Sequence, residues 1–222
     1  LLGDGSTLGI KLSYKIQEKP KGIAEALVIG ETFLDKQPCA LILGDNIFFG
    51  NRFSEILEKA SKSKYSSIFA LPVVNPEEFG IVEFNKNLRI KSLKEKPKKP
   101  KSNYAVTGLY FYDKYASLKA KKLKPSKRGE LEITDLNKMY LKEKKLKLNL
   151  LPRGFNWFDA GTTKSLLEVS ELIKNIQSRS GYMIGCLEEI ALKKNWISKN
   201  KIKTKFKNIN NSYSNYIKRL CK

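Results

Sequence analysis

Hydrophobic and polar residues follow two kinds of pattern along the chain, and together they predict an α/β protein. Apolar residues recur at helical spacing in four stretches, which predicts amphipathic helices. These stretches are residues 22–34, 51–62, 130–142 and 162–177, with Thr162 or Thr163 placed to cap the last helix. Continuous apolar, β-branched or aromatic runs predict buried strands. These runs are residues 39–43, 67–74, 104–112 and 146–151.

The middle of the chain adds a hairpin to this alternation. Residues 80–84 and 88–93 are predicted strands on either side of Asn85-Lys86-Asn87, a short polar turn typical of hairpins. The strand–helix–strand succession before the hairpin favours a doubly wound sheet. We therefore expect an α/β fold with a mixed sheet flanked by helices, inserted β-hairpins and a helical C-terminus.

No internal repeat and no linker rich in Gly, Ser or Pro divides the chain. We expect residues 1–180 to form one domain and residues 181–222 to form a C-terminal helical segment packed on it. No apolar run approaches the roughly 20 residues that a membrane-spanning helix needs, so we expect no interaction with a membrane.

The charge of the chain suggests a nucleic-acid partner at first. The 222 residues include 43 Lys and Arg against 22 Asp and Glu, a formal net charge of +21. The lysines are spread along the chain, and no acidic residue follows Glu189. Lys, Asn and Ile are enriched together in that tail, and no nucleic-acid-binding signature is present. We expect a solvated basic surface and no nucleic-acid partner, and keep nucleic-acid binding as a remote alternative.

The cysteines and the absence of histidine narrow the chemistry. Cys39, Cys186 and Cys221 have no paired spacing, and the chain contains no His, which rules out His-containing zinc sites and His-based triads. Scattered cysteines are typical of a reducing compartment, so we expect a cytoplasmic protein. Buried apolar thiols are favoured over reactive ones.

Two aspartates lie where a cation could be held. Asp45 ends the predicted strand at 39–43 in the sequence LGDN, and Asp159 lies in WFDAGT before a predicted helix. Carboxylates at the carboxyl ends of strands face the ligand crevice of open α/β sheets and can hold Mg²⁺ against phosphates. A turn or cap residue is an equal interpretation of Asp45, and by position alone Asp159 is favoured as a helix N-terminal residue.

Basic residues at two turns could meet a phosphate. Glu95-Lys96-Pro97 follows the second hairpin strand, and Arg128 follows a lysine-rich loop. Lysine presents a point charge to a phosphate, and arginine can bind one through two hydrogen bonds. Taken alone, the first is favoured as part of a solvated lysine run and the second as a structural arginine. In the strand at 104–112, Gly108 indicates close backbone approach, while Tyr110 and Trp157 fit a core.

Taken together, these segments resemble the sugar nucleotidyltransferase family, and within it the glucose-1-phosphate thymidylyltransferases. The matching stretches occur in order from residue 1 to about residue 195. They are LLGDGS, YKIQEKPKGIAEAL, CALILGDNIFFG, FGIVEF, EKP, KSNYAVTGLYFYD, RGELEITDLN and WFDAGTTKSLLE. The resemblance implies the Rossmann-like nucleotide-diphospho-sugar transferase fold, with residues 1–180 as the nucleotidyltransferase domain.

The resemblance also implies a reaction. The phosphate of glucose 1-phosphate attacks the α-phosphorus of dTTP in line, and the products are dTDP-glucose and pyrophosphate. The reaction implied is Mg²⁺-dependent, and catalysis would depend on alignment and charge neutralisation. Members of the family are cytoplasmic, commonly homotetrameric, and serve dTDP-rhamnose and polysaccharide biosynthesis, which we expect here as well.

Residue by residue, the resemblance assigns roles to positions of this sequence. Asp45 and Asp159 would bind the metal, and with Lys96 and Arg128 they form the implied catalytic set. Gln17, Gly22 and Asp45 would bind the nucleotide. The implied sugar site consists of Gly80, Glu95, Lys96, Val106, Tyr110, Arg128 and Trp157. Glu189 and Ile190 match a regulatory nucleotide site, although Leu187 and Lys193 depart from its usual Pro and Arg.

One family element is missing from the printed sequence. The family's Gly-rich loop, G-G-x-G-T-R-L, which grips the nucleotide triphosphate through backbone amides, does not occur, and the chain opens on Leu1. We therefore expect an N-terminally incomplete chain. The alternative to the enzyme is a catalytically impaired, truncated homologue that acts as a binding or interaction protein.

Overall fold

The computed structural model describes residues 2–222. The strands are β1 Cys39–Ile42, β2 Asn46–Phe49, β3 Ser66–Pro72, β4 Gly80–Phe84, β5 Ile90–Glu95, β6 Tyr104–Tyr112, β7 Leu146–Leu150 and β8 Asn156–Asp159. The α-helices are α1 Glu25–Ile29, α2 Glu31–Leu34, α3 Phe53–Ser61, α4 Ala116–Ala120, α5 Ile133–Lys142, α6 Thr163–Ser180, α7 Leu187–Lys193, α8 Lys199–Phe206 and α9 Ser212–Leu220. Short 3₁₀ turns occur at Ser6–Leu8 and Pro76–Glu78.

A mixed sheet with strand order β5-β4-β6-β3-β7 forms the centre of the fold, and β1 also pairs with β6. Strand β6 pairs antiparallel with β1, β3 and β4. Its β-branched and aromatic residues suit a strand that is buried between neighbouring strands. Within residues 2–222 the parallel pair of this sheet is β3 with β7. The predicted mixed sheet with a hairpin is confirmed. The strand–helix–strand succession before the hairpin favoured a doubly wound sheet, and this is wrong because most of the strand pairs are antiparallel.

Helix α5 shows how the sequence pattern positions the site. Its apolar residues Ile133, Leu136 and Tyr140 are buried, while Lys138 and Lys142 lie on the other side. The buried residues pack in the core cluster that also contains Ile68 and Val82 of the sheet. The polar N-terminal end of α5 is thereby held beside the end of β5.

Several predicted boundaries were wrong for local reasons. The single helix predicted at 22–34 is divided into α1 and α2 at Gly30, which helices tolerate poorly. Helix α5 begins at Ile133 rather than 130, because residues 126–130 form a hydrogen-bonded turn with Gly129 at φ 77°.

The predicted cap of α6 is confirmed at Thr162, since its Oγ1 accepts from the Ser165 amide at 3.1 Å.

A second sheet escaped sequence analysis. Strands β2 and β8 pair antiparallel, with Asn46 opposite Asp159 and Phe49 opposite Asn156. Each strand has four residues, and their partners are more than a hundred positions apart. Asp159 is therefore the last residue of a strand, and its interpretation as a helix N-terminal residue is wrong, since α6 begins at Thr163.

The chain forms two compact units. Lys15–Leu166 contains both sheets, whereas residues 2–14 with Leu167–Lys222 form the other unit. In the latter, the core joins α7, α8 and α9 through residues that include Ile202, Phe206 and Ile217. The division at 180/181 that we expect from the sequence stays a prediction.

Two further expectations concern single features. Cys39, Cys186 and Cys221 are free thiols, and the last two are buried, as the sequence favoured. No helix formed by residues 2–222 combines the length and the apolar character that crossing a membrane requires.

Candidate active site

A polar cavity of about 290 Å³ lies in the unit Lys15–Leu166. Its wall is built from the start of β4, the end of β5, the middle of β6, residues of β8 and the segment that enters α5. The lining residues are Ile23, Leu43, Asn46, Glu78, Phe79, Gly80, Glu95, Lys96, Val106, Gly108, Tyr110, Arg128, Glu130, Glu132, Ile133, Thr134, Trp157 and Asp159.

The cavity brings together most of the residues that the sequence singled out. Those in its wall are Gly80, Glu95, Lys96, Val106, Tyr110, Arg128, Trp157 and Asp159. Those elsewhere in the described chain are Gln17, Gly22, Asp45, Glu189 and Ile190. Residues that are up to 79 positions apart in sequence therefore share one concave surface.

Glu95 ends β5 with its carboxylate facing Gly80 and Thr134. Thr134 Oγ1 donates to Glu95 Oε2 at 2.5 Å. A Cβ on Gly80 would lie 3.2 Å from both Glu95 Oε2 and Thr134 Oγ1, so the glycine leaves room for this pair. Within the described chain Glu95 Oε1 has no hydrogen-bond donor, which leaves it available to a ligand hydroxyl. Sequence reasoning missed Thr134, although it lies in the quoted RGELEITD stretch.

Lys96 follows Glu95 in a strained backbone conformation. Its φ of 38° lies in the left-handed region that non-glycine residues rarely adopt. The Lys96 amide donates to the Phe79 carbonyl at 3.0 Å, which ties this turn to the segment before β4. Such strain persists where the surrounding structure holds the residue in place, and it concentrates at functional sites.

Arg128 reaches the cavity from the turn before α5. It is held by Glu130, whose Oε2 accepts from Nη2 at 2.7 Å, and by Glu132, which accepts from Nε and Nη2 at 3.1 Å each. The hydrogen bonds to Glu132 raise the pKa of the guanidinium, although burial acts against them. Sequence analysis named the arginine and missed both carboxylates.

The aromatic wall contains Tyr110 and Trp157. Tyr110 is buried, and burial together with the nearby Glu95 carboxylate raises its pKa far above the usual range, so the phenol stays protonated. The Trp157 ring packs edge-on against Phe79 with ring centroids 5.1 Å apart. Tyr110 is a core residue that also lines the cavity, and Trp157 is only partly buried.

The two candidate metal ligands converge on Gly161. A Cβ on Gly161 would lie 3.0 Å from Asp159 Oδ1 and 3.4 Å from Asp45 Oδ2. The Ala160 amide donates to the Asp45 carbonyl at 2.8 Å and brings the two segments together. Two carboxylates that face a gap kept open by a glycine fit a cation such as Mg²⁺, which takes one or two protein carboxylates alongside phosphates and water. No group of three or more Asp, Glu, Cys or His side chains is arranged for a metal in residues 2–222.

Asn46 connects this carboxylate pair to the cavity wall. Its Oδ1 accepts from the Gly108 amide at 2.9 Å and from Trp157 Nε1 at 2.7 Å, and its Nδ2 donates to Asp45 Oδ1 at 2.9 Å. A Cβ on Gly108 would lie 2.4 Å from Asn46 Oδ1. The close approach expected at Gly108 is therefore that of the Asn46 side chain, which sequence analysis missed even though it follows Asp45 directly.

Gln17 and Gly22 lie together outside the cavity. Gln17 Nε2 donates to Glu25 Oε2 at 2.5 Å and to the Gly22 carbonyl at 3.4 Å. Gly22 has φ 101°, and a Cβ there would lie 2.5 Å from the Leu131 carbonyl oxygen. In this structure a side chain at position 22 would collide with the Leu131 backbone, which is why the position requires glycine.

Glu189 and Ile190 lie on α7, in the unit without the cavity. Burial raises the pKa of Glu189, but hydrogen bonds from Lys193 at 2.7 Å and Tyr216 at 2.5 Å outweigh it and leave the pKa lowered. Ile190 is exposed.

The cavity is acidic although the chain is strongly basic. Its wall carries two cationic side chains, Lys96 and Arg128, against five carboxylates. The carboxylates are those of Glu78, Glu95, Glu130, Glu132 and Asp159. An anionic ligand therefore needs Lys96, Arg128 or an added cation to enter, and the net charge of +21 does not describe the site.

Comparison with known proteins gives consistent matches. The family model described as "Nucleotidyl transferase" matches residues 1–176. Curated relatives named glucose-1-phosphate thymidylyltransferase include one from Neisseria meningitidis serogroup A, 48% identical, which matches 100% of this chain and 78% of its own length. Another, from Xanthomonas campestris, is 44% identical over 100% of this chain and 76% of its own length.

Solved structures agree with these matches. A putative glucose-1-phosphate thymidylyltransferase from Bacillus anthracis, in complex with sucrose, is 42% identical with a TM-score of 0.68, over 77% of this chain and 68% of that one. A UDP-glucose pyrophosphorylase complexed with UDP-glucose has a TM-score of 0.66 over 73% of this chain and 66% of that one. At 23% identity, the latter bears on the fold alone.

Proposed function

The chain belongs to the nucleotidyl transferase family, and from that premise we propose that it is a glucose-1-phosphate thymidylyltransferase. The reaction joins glucose 1-phosphate to the thymidylyl group of dTTP and yields dTDP-glucose and pyrophosphate. The observation that carries the proposal is the cavity in which Glu95, Lys96 and Arg128 meet Asp159 beside Asp45. Sequence identity of up to 48% with relatives of that name supports it.

The sugar is proposed to lie against β4, β5 and β6. Glu95 Oε1 accepts from a glucose hydroxyl while Oε2 stays bound to Thr134. Gly80, Val106 and Tyr110 shape the wall beside it, and Trp157 closes the side towards Asp159. Because the hydrogen bond from Thr134 holds Oε2, the Oε1 atom of Glu95 also stays in one place. A fixed acceptor of this kind orients the bound sugar.

The sugar phosphate is proposed to meet Lys96 and Arg128. These are the cationic side chains in the described wall of the cavity, and they offset the charge of the attacking phosphate. A phosphate oxygen of glucose 1-phosphate forms the new bond to the α-phosphorus of dTTP. The bond from the α-phosphorus to its bridging oxygen breaks, and pyrophosphate leaves with that electron pair. No covalent enzyme intermediate is needed.

Asp45 and Asp159 are proposed to hold Mg²⁺ at the gap kept by Gly161. When bound, the ion would neutralise phosphate charge as it shifts to the leaving pyrophosphate. Asn46 holds one oxygen of Asp45 by a hydrogen bond and leaves Oδ2 towards Gly161. Gln17 and Gly22 are proposed to bind the thymine, and Asp45 is also proposed to contact the nucleotide.

The test is formation of dTDP-glucose by the chain with dTTP, glucose 1-phosphate and Mg²⁺, followed by chromatography and by pyrophosphate release. We expect Glu95→Gln to raise the KM for glucose 1-phosphate about tenfold, because it replaces a charged acceptor of a sugar hydroxyl. Glu83→Gln is the matched control, since Glu83 lies on β4 outside the cavity and pairs only distantly with Lys94 at 3.8 Å.

Three results would contradict the proposal in whole or in part. A wild-type chain that neither forms nor binds dTDP-glucose overturns it. Binding without turnover instead favours the alternative of a binding protein. Equal effects of the Glu95 and Glu83 substitutions would remove Glu95 from the sugar site.

The same premise supports wider proposals. We propose a cytoplasmic homotetramer that serves dTDP-rhamnose and polysaccharide biosynthesis, with Glu189 and Ile190 in a regulatory nucleotide site. Light scattering on the purified chain measures the oligomer directly. A shift of activity on adding dTDP-sugars, abolished by Ile190→Asp, tests the regulatory site.

A further inference from the structure

A buried carboxylate beside Arg128 has no role in the proposed reaction. The Glu132 side chain is 9% exposed. Burying a carboxylate is unfavourable unless its oxygens are hydrogen-bonded or paired with a cation. Both Glu132 oxygens accept hydrogen bonds, from Arg128 and from Ser126. The role of the carboxylate can therefore be inferred from these two partners.

Helix capping does not explain Glu132. The residue is the N-cap of α5, with extended φ and ψ of −72° and 130°, but its side chain accepts no hydrogen bond from the helix amides. Oε1 instead accepts from Ser126 Oγ at 2.7 Å and from Arg128 Nε at 3.1 Å, and Oε2 accepts from Arg128 Nη2 at 3.1 Å. The carboxylate is turned away from the helix and towards the arginine.

The geometry leaves a defined part of the guanidinium available. A guanidinium has two edges that can bind an oxyanion through two parallel hydrogen bonds, Nε–Nη2 and Nη1–Nη2. Glu132 takes the Nε–Nη2 edge. Nη1 has no hydrogen-bond partner in residues 2–222, and Nη2 also meets Glu130 at 2.7 Å. A phosphate can bind the Nη1–Nη2 edge once Glu130 moves aside.

The turn that carries Arg128 is itself held to Glu132. Ser126 Oγ accepts from the Arg128 amide at 3.1 Å while it donates to Glu132, and the Gly129 amide donates to the Ser126 carbonyl at 2.9 Å. Glu132 therefore fixes both the backbone and the side chain of Arg128. Glu130, whose side chain is 35% exposed, makes a single contact on the outer side.

We propose that Glu132 is a positioning residue that anchors Arg128 so that its Nη1–Nη2 edge receives the phosphate of glucose 1-phosphate. Glu130 is an exchangeable counterion that occupies this edge when no phosphate is bound. The inference rests on the proposed function, because it needs Arg128 to be the phosphate-binding group.

The experiment compares Glu132→Gln with Glu130→Gln, which removes the charge of the other carboxylate on the same guanidinium. Gln at 132 keeps the shape but removes the charge and puts an NH2 group in place of one of the two accepting oxygens, so the two-point anchor of Arg128 is lost. We expect kcat/KM for glucose 1-phosphate to fall about tenfold, the effect of one lost charge-assisted hydrogen bond, with an unchanged KM for dTTP. We expect Glu130→Gln to act in the opposite direction and to lower the KM for glucose 1-phosphate, because it removes the carboxylate that competes with the phosphate for this edge, again with an unchanged KM for dTTP.

A second measurement reports on the anchor without turnover. The Arg128 Nε–H signal, assigned by its loss in Arg128→Lys, is protected from solvent exchange in wild type and Glu130→Gln and unprotected in Glu132→Gln. If Glu132→Gln does not fold, Ser126→Ala carries the test, with a smaller loss in the same direction.

The outcomes separate the two proposals. A wild-type chain that forms no dTDP-glucose overturns the proposed function and, with it, the role of Glu132 towards substrate. An active wild type with equal behaviour of Glu132→Gln and Glu130→Gln in both measurements overturns the positioning role alone. If Glu132→Gln raised the KM for dTTP as much as the KM for glucose 1-phosphate, its effect would be a general structural one, and the positioning role would again be overturned.

Discussion

Single polar residues hold this site together, and Asn46 shows how much one side chain can decide. Its amide orientation follows from its partners, because only an oxygen can accept from both the Gly108 amide and Trp157 Nε1. The nitrogen is then the atom that faces Asp45. One buried amide thus joins β2, β6 and β8 and aligns a candidate metal ligand.

We expect Asn46→Ala to destabilise the chain by about 2 kcal/mol, since it leaves a buried amide and an indole N–H without acceptors. Urea unfolding followed by tryptophan fluorescence measures the change. Asn156→Ala is the control on the same ladder, because Asn156 makes only a long contact to Gly154 at 3.3 Å. A loss of stability no larger than that of the control would show that the three hydrogen bonds of Asn46 contribute little.

At the scale of elements, strands with a continuous apolar or β-branched run were predictable, whereas β2 and β8 were not. The strands at 80–84 and 104–112 match β4 and β6 residue for residue. Strands β2 and β8 were missed because four residues carry no readable period and their pairing is set by tertiary contacts.

The same limit applies to the candidate site. Asp45, Glu95 and Arg128 were noticed from their places at strand ends and turns. Asn46, Glu132 and Thr134 were not, because their importance comes from neighbours that are distant in the chain or on the other side of a turn. No local pattern marks such a residue.

The three C-terminal helices provide an element-scale prediction about pH. Glu188 on α7 accepts from Lys205 on α8 at 3.0 Å and from Tyr213 on α9. Burial raises the pKa of Glu188, but the hydrogen bonds from Tyr213 and Lys205 outweigh it and leave the pKa below the ordinary 4.5. A lowered pKa in the folded state adds stability above pH 4.5, which is lost as the pH falls through the folded-state pKa.

We therefore expect Glu188→Gln to lower the melting temperature at pH 7 and to differ less from wild type as the pH falls below 4.5. Thermal unfolding at both pH values measures this. Glu171→Gln, an exposed change on α6, is the control and should match wild type throughout. A deficit of Glu188→Gln that persists undiminished in acid would assign its effect to packing rather than to charge.

At the scale of the whole molecule, the net charge and the site have opposite signs. The chain carries +21, yet the described wall of the cavity holds five carboxylates and two cations. Exposed charges are screened beyond about 10 Å at ordinary salt, so distant lysines contribute little to the potential at the site. Lys142 at the far end of α5 is about 12 Å along the helix axis from Thr134.

This argument predicts that reversing distant charges leaves substrate binding alone. The double variant Lys142→Glu and Lys147→Glu should keep the KM for glucose 1-phosphate within about twofold of wild type at 0.15 M salt, because both side chains are exposed and screened. Lys96→Ala should raise that KM about tenfold or more, because it removes one of two phosphate-facing cations. The same variants, titrated with duplex DNA at two salt concentrations, show whether the surface charge has a separate use. If the double variant raised the KM as much as Lys96→Ala, substrate attraction would depend on the overall field, and the local account of Lys96 and Arg128 would be wrong.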